Sequence, residues 1–102
     1  MKEDLLNKNY EILEHYGIEE QIIIWIEEMS ELTKELCKWQ RKHYLTSEHL
    51  TEMKFEVTDV QVSLDQIKKA INYALEEQEE NYEFKVDRQL DRINNKLKEE
   101  GK

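Results

Sequence analysis

The chain has 102 residues, 15 Lys plus Arg against 24 Asp plus Glu, and a formal net charge of −9, which bounds it to one small acidic domain. It has no proline and only two glycines, Gly17 and Gly101, which excludes a turn-rich all-β fold and favours long helices. The acidic balance argues against binding nucleic acid or anionic membrane, whose phosphates it would repel.

A first helix is expected from Glu3 to Tyr16, with Leu5, Leu6, Ile12, Leu13 and Tyr16 at helical spacing and Gly17 placed to close it. A second is expected from Ile18 to His43, where Lys38, Arg41 and Lys42 suit the negative end of a helix dipole. Its apolar run Ile22 to Ile26 is far too short to span a bilayer. Thr46 or Ser47 can cap a third helix, which the pattern carries on to about Glu77. The stretch Glu76 to Asn81 reads as the one linker or bend, after which a fourth helix bears Tyr82, Val86, Leu90, Ile93 and Leu97. No repeat or domain boundary interrupts this order, so residues 1–102 read as a single domain. The fold class is all-α: a four-helix chain with two long antiparallel core helices, completed by oligomerisation because so short a chain buries a limited core.

On a wheel of about 100° per residue, Ile18, Ile22, Trp25, Met29, Leu32, Leu36 and Trp39 form one apolar arc of the second helix. Glu28 stands at its edge, with Glu31 and then Glu27 beyond. The third helix repeats the design. Leu50, Met53, Val57, Val60, Leu64, Ile67, Ile71 and Leu75 share an arc, with Glu56 at its edge and Asp59 in the angular place of Glu31. Packed against each other, the two stripes would let the acidic pairs converge. Carboxylates crowded beside an apolar seam repel one another and lose hydration unless a cation compensates. Hard divalent ions such as Mg²⁺ prefer those oxygens. A merely solvated acidic face is the plainer alternative, and periodicity leaves both open.

The segments Glu27-Glu28-Met29-Ser30-Glu31 and Glu56-Val57-Thr58-Asp59 resemble the EExxE…ExxD signature of the all-α nucleoside triphosphate pyrophosphohydrolases, the MazG-like group. The words WIEEMSELTKEL and FEVTDVQVSLDQIKKAI around them are similar too, and the resemblance covers roughly residues 15 to 95. It implies Glu28, Glu31, Glu56 and Asp59 as Mg²⁺ ligands, with Mn²⁺ a possible substitute. Glu27 is implied as an accessory carboxylate that orients or deprotonates the attacking water, and Glu27 and Glu28 as the catalytic pair. The implied reaction cleaves a nucleoside triphosphate between its α and β phosphates, giving the monophosphate and pyrophosphate. Ser63 stands where relatives often carry an aromatic residue, which leaves base contacts open.

The fourth helix carries Lys85, Arg88, Arg92 and Lys96 in a narrow arc. Pairing with acidic faces, or plain solubility, would account for such a stripe. The other reading gives Lys85, Arg88 and Arg92 the phosphates of the substrate, a role the resemblance supports. Trp25 and Trp39 lie on the core arc, where packing is favoured and base stacking remains open. Phe55 and Val62, opposite the packing stripe of the third helix, suggest burial on a second side in a homodimer or homotetramer. His15, His43 and His49 show no ligand spacing, Cys37 is alone, and no Ser-His-Asp set or phosphate-cradling glycine loop exists. MKEDLLNK lacks the apolar stretch of a secretory leader, so the cytoplasm is the expected compartment. The rival functions are a non-catalytic helical oligomerisation or interaction module and a carboxylate-bridged transition-metal bundle. The lack of any Glu-x-x-His pair weighs against the latter.

Overall fold

The computed structural model describes residues 1–101; Lys102 lies outside the described residues. Four helices occupy nearly all of them: α1 (Glu3–Tyr16), α2 (Ile18–Lys42), α3 (Ser47–Ala70) and α4 (Leu75–Glu100). There is no strand among the described residues. None of the helices is long and apolar enough to cross a membrane.

The helix ends show why the breaks fall where they do. Gly17, at φ 85°, is the whole connection between α1 and α2, and its N–H donates to Leu13 O at 2.8 Å. A side chain there would be strained at that φ. His43 ends α2 in the left-handed region, its N–H donating to Trp39 O. Thr46 caps α3, its hydroxyl oxygen accepting the His49 N–H at 3.1 Å.

The third helix differs from the sequence reading. It stops at Ala70 rather than near Glu77. Asn72 takes a left-handed conformation at φ 53°, which asparagine tolerates better than most residues, and Lys68 and Lys69 fill the last turn. The acidic stretch read as a linker lies inside α4, with Glu76 and Glu77 in its first turn. Negative charge at a helix N-terminus complements the dipole there, so this run starts a helix instead of interrupting one.

The chain forms two compact units, Met1–Ile71 and Asn72–Lys102. In the first, α1, α2 and α3 all pack on one another, most extensively α2 on α3. Among the described residues the buried apolar side chains are Leu13, Trp25 and Met53, whereas four buried residues are polar: Asn9, Gln21, Ser63 and Gln66. Asn9, Gln21 and Gln66 form one network with Trp25. The Gln66 carbonyl oxygen accepts from Trp25 Nε1 (2.7 Å) and Gln21 Nε2 (2.9 Å). Its amide donates to Asn9 Oδ1 (2.7 Å), and Asn9 Nδ2 donates to Val62 O (3.0 Å).

The apolar arcs are only partly used inside one chain. Trp25 is buried and Leu32 half-buried, but Ile18, Ile22, Met29 and Leu36 on the far side of the α2 arc stay exposed. On α3, Met53 is buried while Leu50, Val57 and Leu64 are exposed. The buried faces therefore lie rotated toward Gln21, Glu28 and Glu56 on one helix pair. That rotation brings the carboxylates toward the packing seam.

In the second unit, Tyr73 ties down the start of α4. Its carbonyl accepts from Gln78 Nε2 and its hydroxyl from Asn81 Nδ2, both at 2.7 Å. No residue of α4 is buried.

Candidate metal centre

Glu28 comes from the middle of α2, and Glu56 and Asp59 lie one turn apart on α3. Each offers a carboxylate oxygen, and these oxygens lie within 4.8 Å of one another. Glu28 and Glu56 are half-buried, and Asp59 is exposed. The pairings Gln21 with Gln66 and Glu28 with Asp59 run down α3 as they run up α2.

The electrostatics are those of crowded acids. Burial raises the Glu28 carboxyl above its usual range. The charge of Asp59, a hydrogen bond with Asp59 and the charges of Glu56 and Glu27 push the same way. Burial likewise raises Glu56, followed by the charges of Asp59, Glu31, Glu35 and Glu52. One Glu56 oxygen, Oε2, is buried without any hydrogen-bond partner. A buried carboxylate oxygen without a donor is expensive. A hard cation would satisfy that oxygen and relieve the mutual repulsion at once. The donor set and the orphaned atom both fit Mg²⁺ or Mn²⁺.

The remaining residues singled out from the sequence are placed as follows. Glu31 lies on the same side of α2 and is close enough to act on Glu56, but its carboxylate accepts from Lys34 Nζ at 3.3 Å and lies outside the three-carboxylate group. Glu27 is exposed and acts on Glu28 through its charge. Trp25 is buried and gives its indole N–H to Gln66, so it packs. Trp39, on the same arc, is exposed. Lys85, Arg88 and Arg92 lie on α4, with the Arg88 guanidinium 5.8 Å from the Phe84 ring centroid, a cation–π distance.

Glu35 and Glu52 were not singled out from the sequence. Glu35 is half-buried and accepts from Lys38 at 3.1 Å, and Glu52 precedes Glu56 by one turn. Both add negative potential at Glu56. Their signal was available: Glu35 follows Glu28 by two turns and Glu52 extends the Glu56 face. A cavity of about 190 Å³ adjoins the cluster, reaching from Glu28 and Asp59 to the buried Gln21, Ser63 and Gln66.

No protein-family model matches this chain, and neither a curated protein nor a solved structure matches it.

Proposed function

We propose that the protein is a Mg²⁺-dependent nucleoside triphosphate pyrophosphohydrolase, cleaving (deoxy)nucleoside triphosphates between the α and β phosphates. The observation that carries this reading is the meeting of Glu28, Glu56 and Asp59, together with a buried, partnerless oxygen on Glu56. The order and spacing of the acidic motifs on α2 and α3 support it, as does their similarity to the MazG-like signature. Glu28, Glu56 and Asp59 would hold the ion, with Glu31 completing the set once freed from Lys34. Bound Mg²⁺ supplies charge neutralisation of phosphate oxygens and a lowered pKa for water.

The chain's own groups do the rest. Glu27, beside Glu28 and open to solvent, would accept a proton from the attacking water. Lys85, Arg88 and Arg92 of α4 supply positive charge for the phosphates, the arginines through paired N–H donors. The chain as a whole, at net charge −9, repels a polyanionic substrate, and these cations would offset that repulsion locally.

The functional form in this proposal is a cytoplasmic homodimer or homotetramer with α2 and α3 as antiparallel core helices. Exposed Ile22, Met29, Val57 and Leu64 beside a core of three buried apolar side chains among the described residues support assembly, because monomers rarely leave large contiguous apolar faces in water.

The deciding experiment is an assay of the eight common ribo- and deoxyribonucleoside triphosphates with Mg²⁺. Pyrophosphate and a monophosphate should appear from at least one of them and vanish with chelator. Release of orthophosphate alone would place the cut elsewhere. Failure of every triphosphate would favour the second reading, a non-catalytic oligomerisation module, for which the same exposed apolar faces are the supporting observation.

A further inference from the structure

The cavity beside the carboxylates has two chemically different ends. Glu28 and Asp59 make one end acidic. The other is neutral, formed by Gln21, Ser63 and Gln66, all buried. Ile12, Ile24 and Val62 line the walls between them. Gln21 lies seven residues before Glu28, and Gln66 seven residues after Asp59. The two ends are thus two helical turns apart, about 10 Å along each axis, comparable with the span from a base edge to the phosphates of a nucleotide.

The neutral end has a fixed polarity. The Trp25 indole can only donate, so Gln66 must turn its carbonyl oxygen toward Trp25, as it does at 2.7 Å. That same oxygen can accept from Gln21 but never donate to it. Gln21 therefore gives its amide to Gln66 (2.9 Å), which leaves its carbonyl oxygen as the end of the side chain available to the cavity. At the far side, Gln66 Nε2 donates to Asn9, and Asn9 in turn donates to the Val62 carbonyl. Three partners set the flip of Gln66, and Gln66 in turn sets that of Gln21 through their shared bond, so Gln21 presents a pre-oriented acceptor at little ordering cost when a ligand arrives.

We propose that this neutral end is the subsite for the base of the nucleotide, with the Gln21 carbonyl oxygen accepting an N–H from the base edge and Ser63 offering a second polar contact. The proposal deepens the hydrolase reading and rests on it for the identity of the ligand. Apolar walls suit the faces of a flat heterocycle, and the acidic end then receives the phosphates together with their cation. Gln66, Trp25 and Asn9 are positioning residues here: they hold the amide of Gln21 and need not touch the ligand.

Two measurements test it. In the first, the wild-type protein labelled with ¹⁵N is titrated with cytidine, uridine, thymidine, adenosine and guanosine, with ribose 5-phosphate as control. At least one nucleoside should shift the side-chain amide signals of Gln21 and Gln66 saturably, and ribose 5-phosphate should not. In the second, hydrolysis of the preferred triphosphate is compared with that of its analogue methylated at the base-edge nitrogens. The wild type should favour the unmodified substrate by roughly tenfold or more in kcat/KM, because a site built to accept an N–H rejects a base lacking it.

Gln21→Met should lose most of that preference while keeping the Mg²⁺-induced rise in melting temperature. Gln66 still accepts from Trp25 in this variant, so the fold is expected to hold. If it does not fold, the wild-type titration and the methylated analogue decide. Amide signals indifferent to every nucleoside would overturn the proposal, as would a Gln21→Met enzyme with undiminished preference. If no triphosphate is hydrolysed but a nucleoside still shifts Gln21, the subsite stands and the hydrolase reading falls.

Discussion

Carboxylate oxygens of Glu28 on α2 and Asp59 on α3 lie within 4.8 Å of each other across the helix seam. Burial and the Asp59 charge both raise the Glu28 carboxyl above its usual range. A divalent cation would offset that repulsion. Adding Mg²⁺ or Mn²⁺ at neutral pH should therefore raise the melting temperature, by the equivalent of about 2.7 kcal/mol at a hundredfold excess over Kd. The double variant Glu28→Gln, Asp59→Asn should stay folded, lose the metal response and melt no lower than wild type without metal. Scanning calorimetry with and without the ion is the check, and an undiminished response in the variant would remove the proposed centre.

Acid should partly substitute for the metal. Glu28 and Glu56 both have raised pKa values in the folded protein, so the folded state binds their protons more tightly than the unfolded chain. Their contribution to stability is fully present below the unfolded value, about 4.3, and is lost as pH rises through the folded values. Metal-free protein should thus melt higher as pH falls from 7 toward 5, and the double variant should show a flatter profile. Mg²⁺ should stabilise less at pH 5 than at pH 7, since proton and cation compete for the same oxygens.

Much of this arrangement was legible in the sequence. Period 3.6 matches the full extent of α1, and Gly17 and Thr46 mark real ends; of the two carboxylate pairs flanking the stripes, Glu28, Glu56 and Asp59 come together while Glu31 stays outside. What escaped was chemistry that does not show in hydropathy. Asn72 ends α3 by adopting a left-handed backbone, a signal easily missed inside KKAINYA. The run Glu76 to Asn81 has the composition of a linker, but its acids suit the positive end of the dipole at the start of α4. The core amides Asn9, Gln21 and Gln66 sit at positions that a search for apolar periodicity discards, and only the meeting of three helices reveals that they satisfy one another.

The end of α3 can be tested directly. Asn72 at φ 53° should accept glycine with little change or a small gain. Asn72→Val should cost about 1–2 kcal/mol, the penalty for a left-handed residue with a crowded β-carbon. Urea denaturation would read both, and equal stability of the two variants would argue that the turn relaxes.

Assembly is the expectation with the largest consequence for stability. Phe55 is 68% exposed in the single chain, on the face of α3 opposite the packing stripe. Light scattering should give a mass that is a multiple of 12.5 kDa. Phe55→Glu should dissociate or unfold the protein by placing an unpaired charge in the interface. A stable wild-type monomer at micromolar concentration would contradict this.

Arg88→Ala separates substrate binding from charge balance. If Arg88 holds substrate phosphate, kcat/KM should fall by about 1.5–3 kcal/mol, the range for hydrogen bonds to charged groups. Melting in the presence of Mg²⁺ should not change, because the carboxylates remain. Glu31→Gln should show the opposite pattern, with turnover and metal response falling together. Wild-type turnover in Arg88→Ala would leave the stripe as surface charge.

The amide network also acts as an indexing key between helices. Sliding α3 by one turn along α2 would set Val62 or Ala70 where Gln66 stands. The Trp25 indole and the Gln21 amide would then be sealed in without an acceptor, at about 1–3 kcal/mol each. Only one alignment avoids that loss. Because Gln21 and Gln66 stand the same seven residues from Glu28 and Asp59, the alignment they enforce is the one that brings the two acids face to face. A cluster of mutually repelling carboxylates cannot find its own alignment, and here neutral side chains two turns away set it for them.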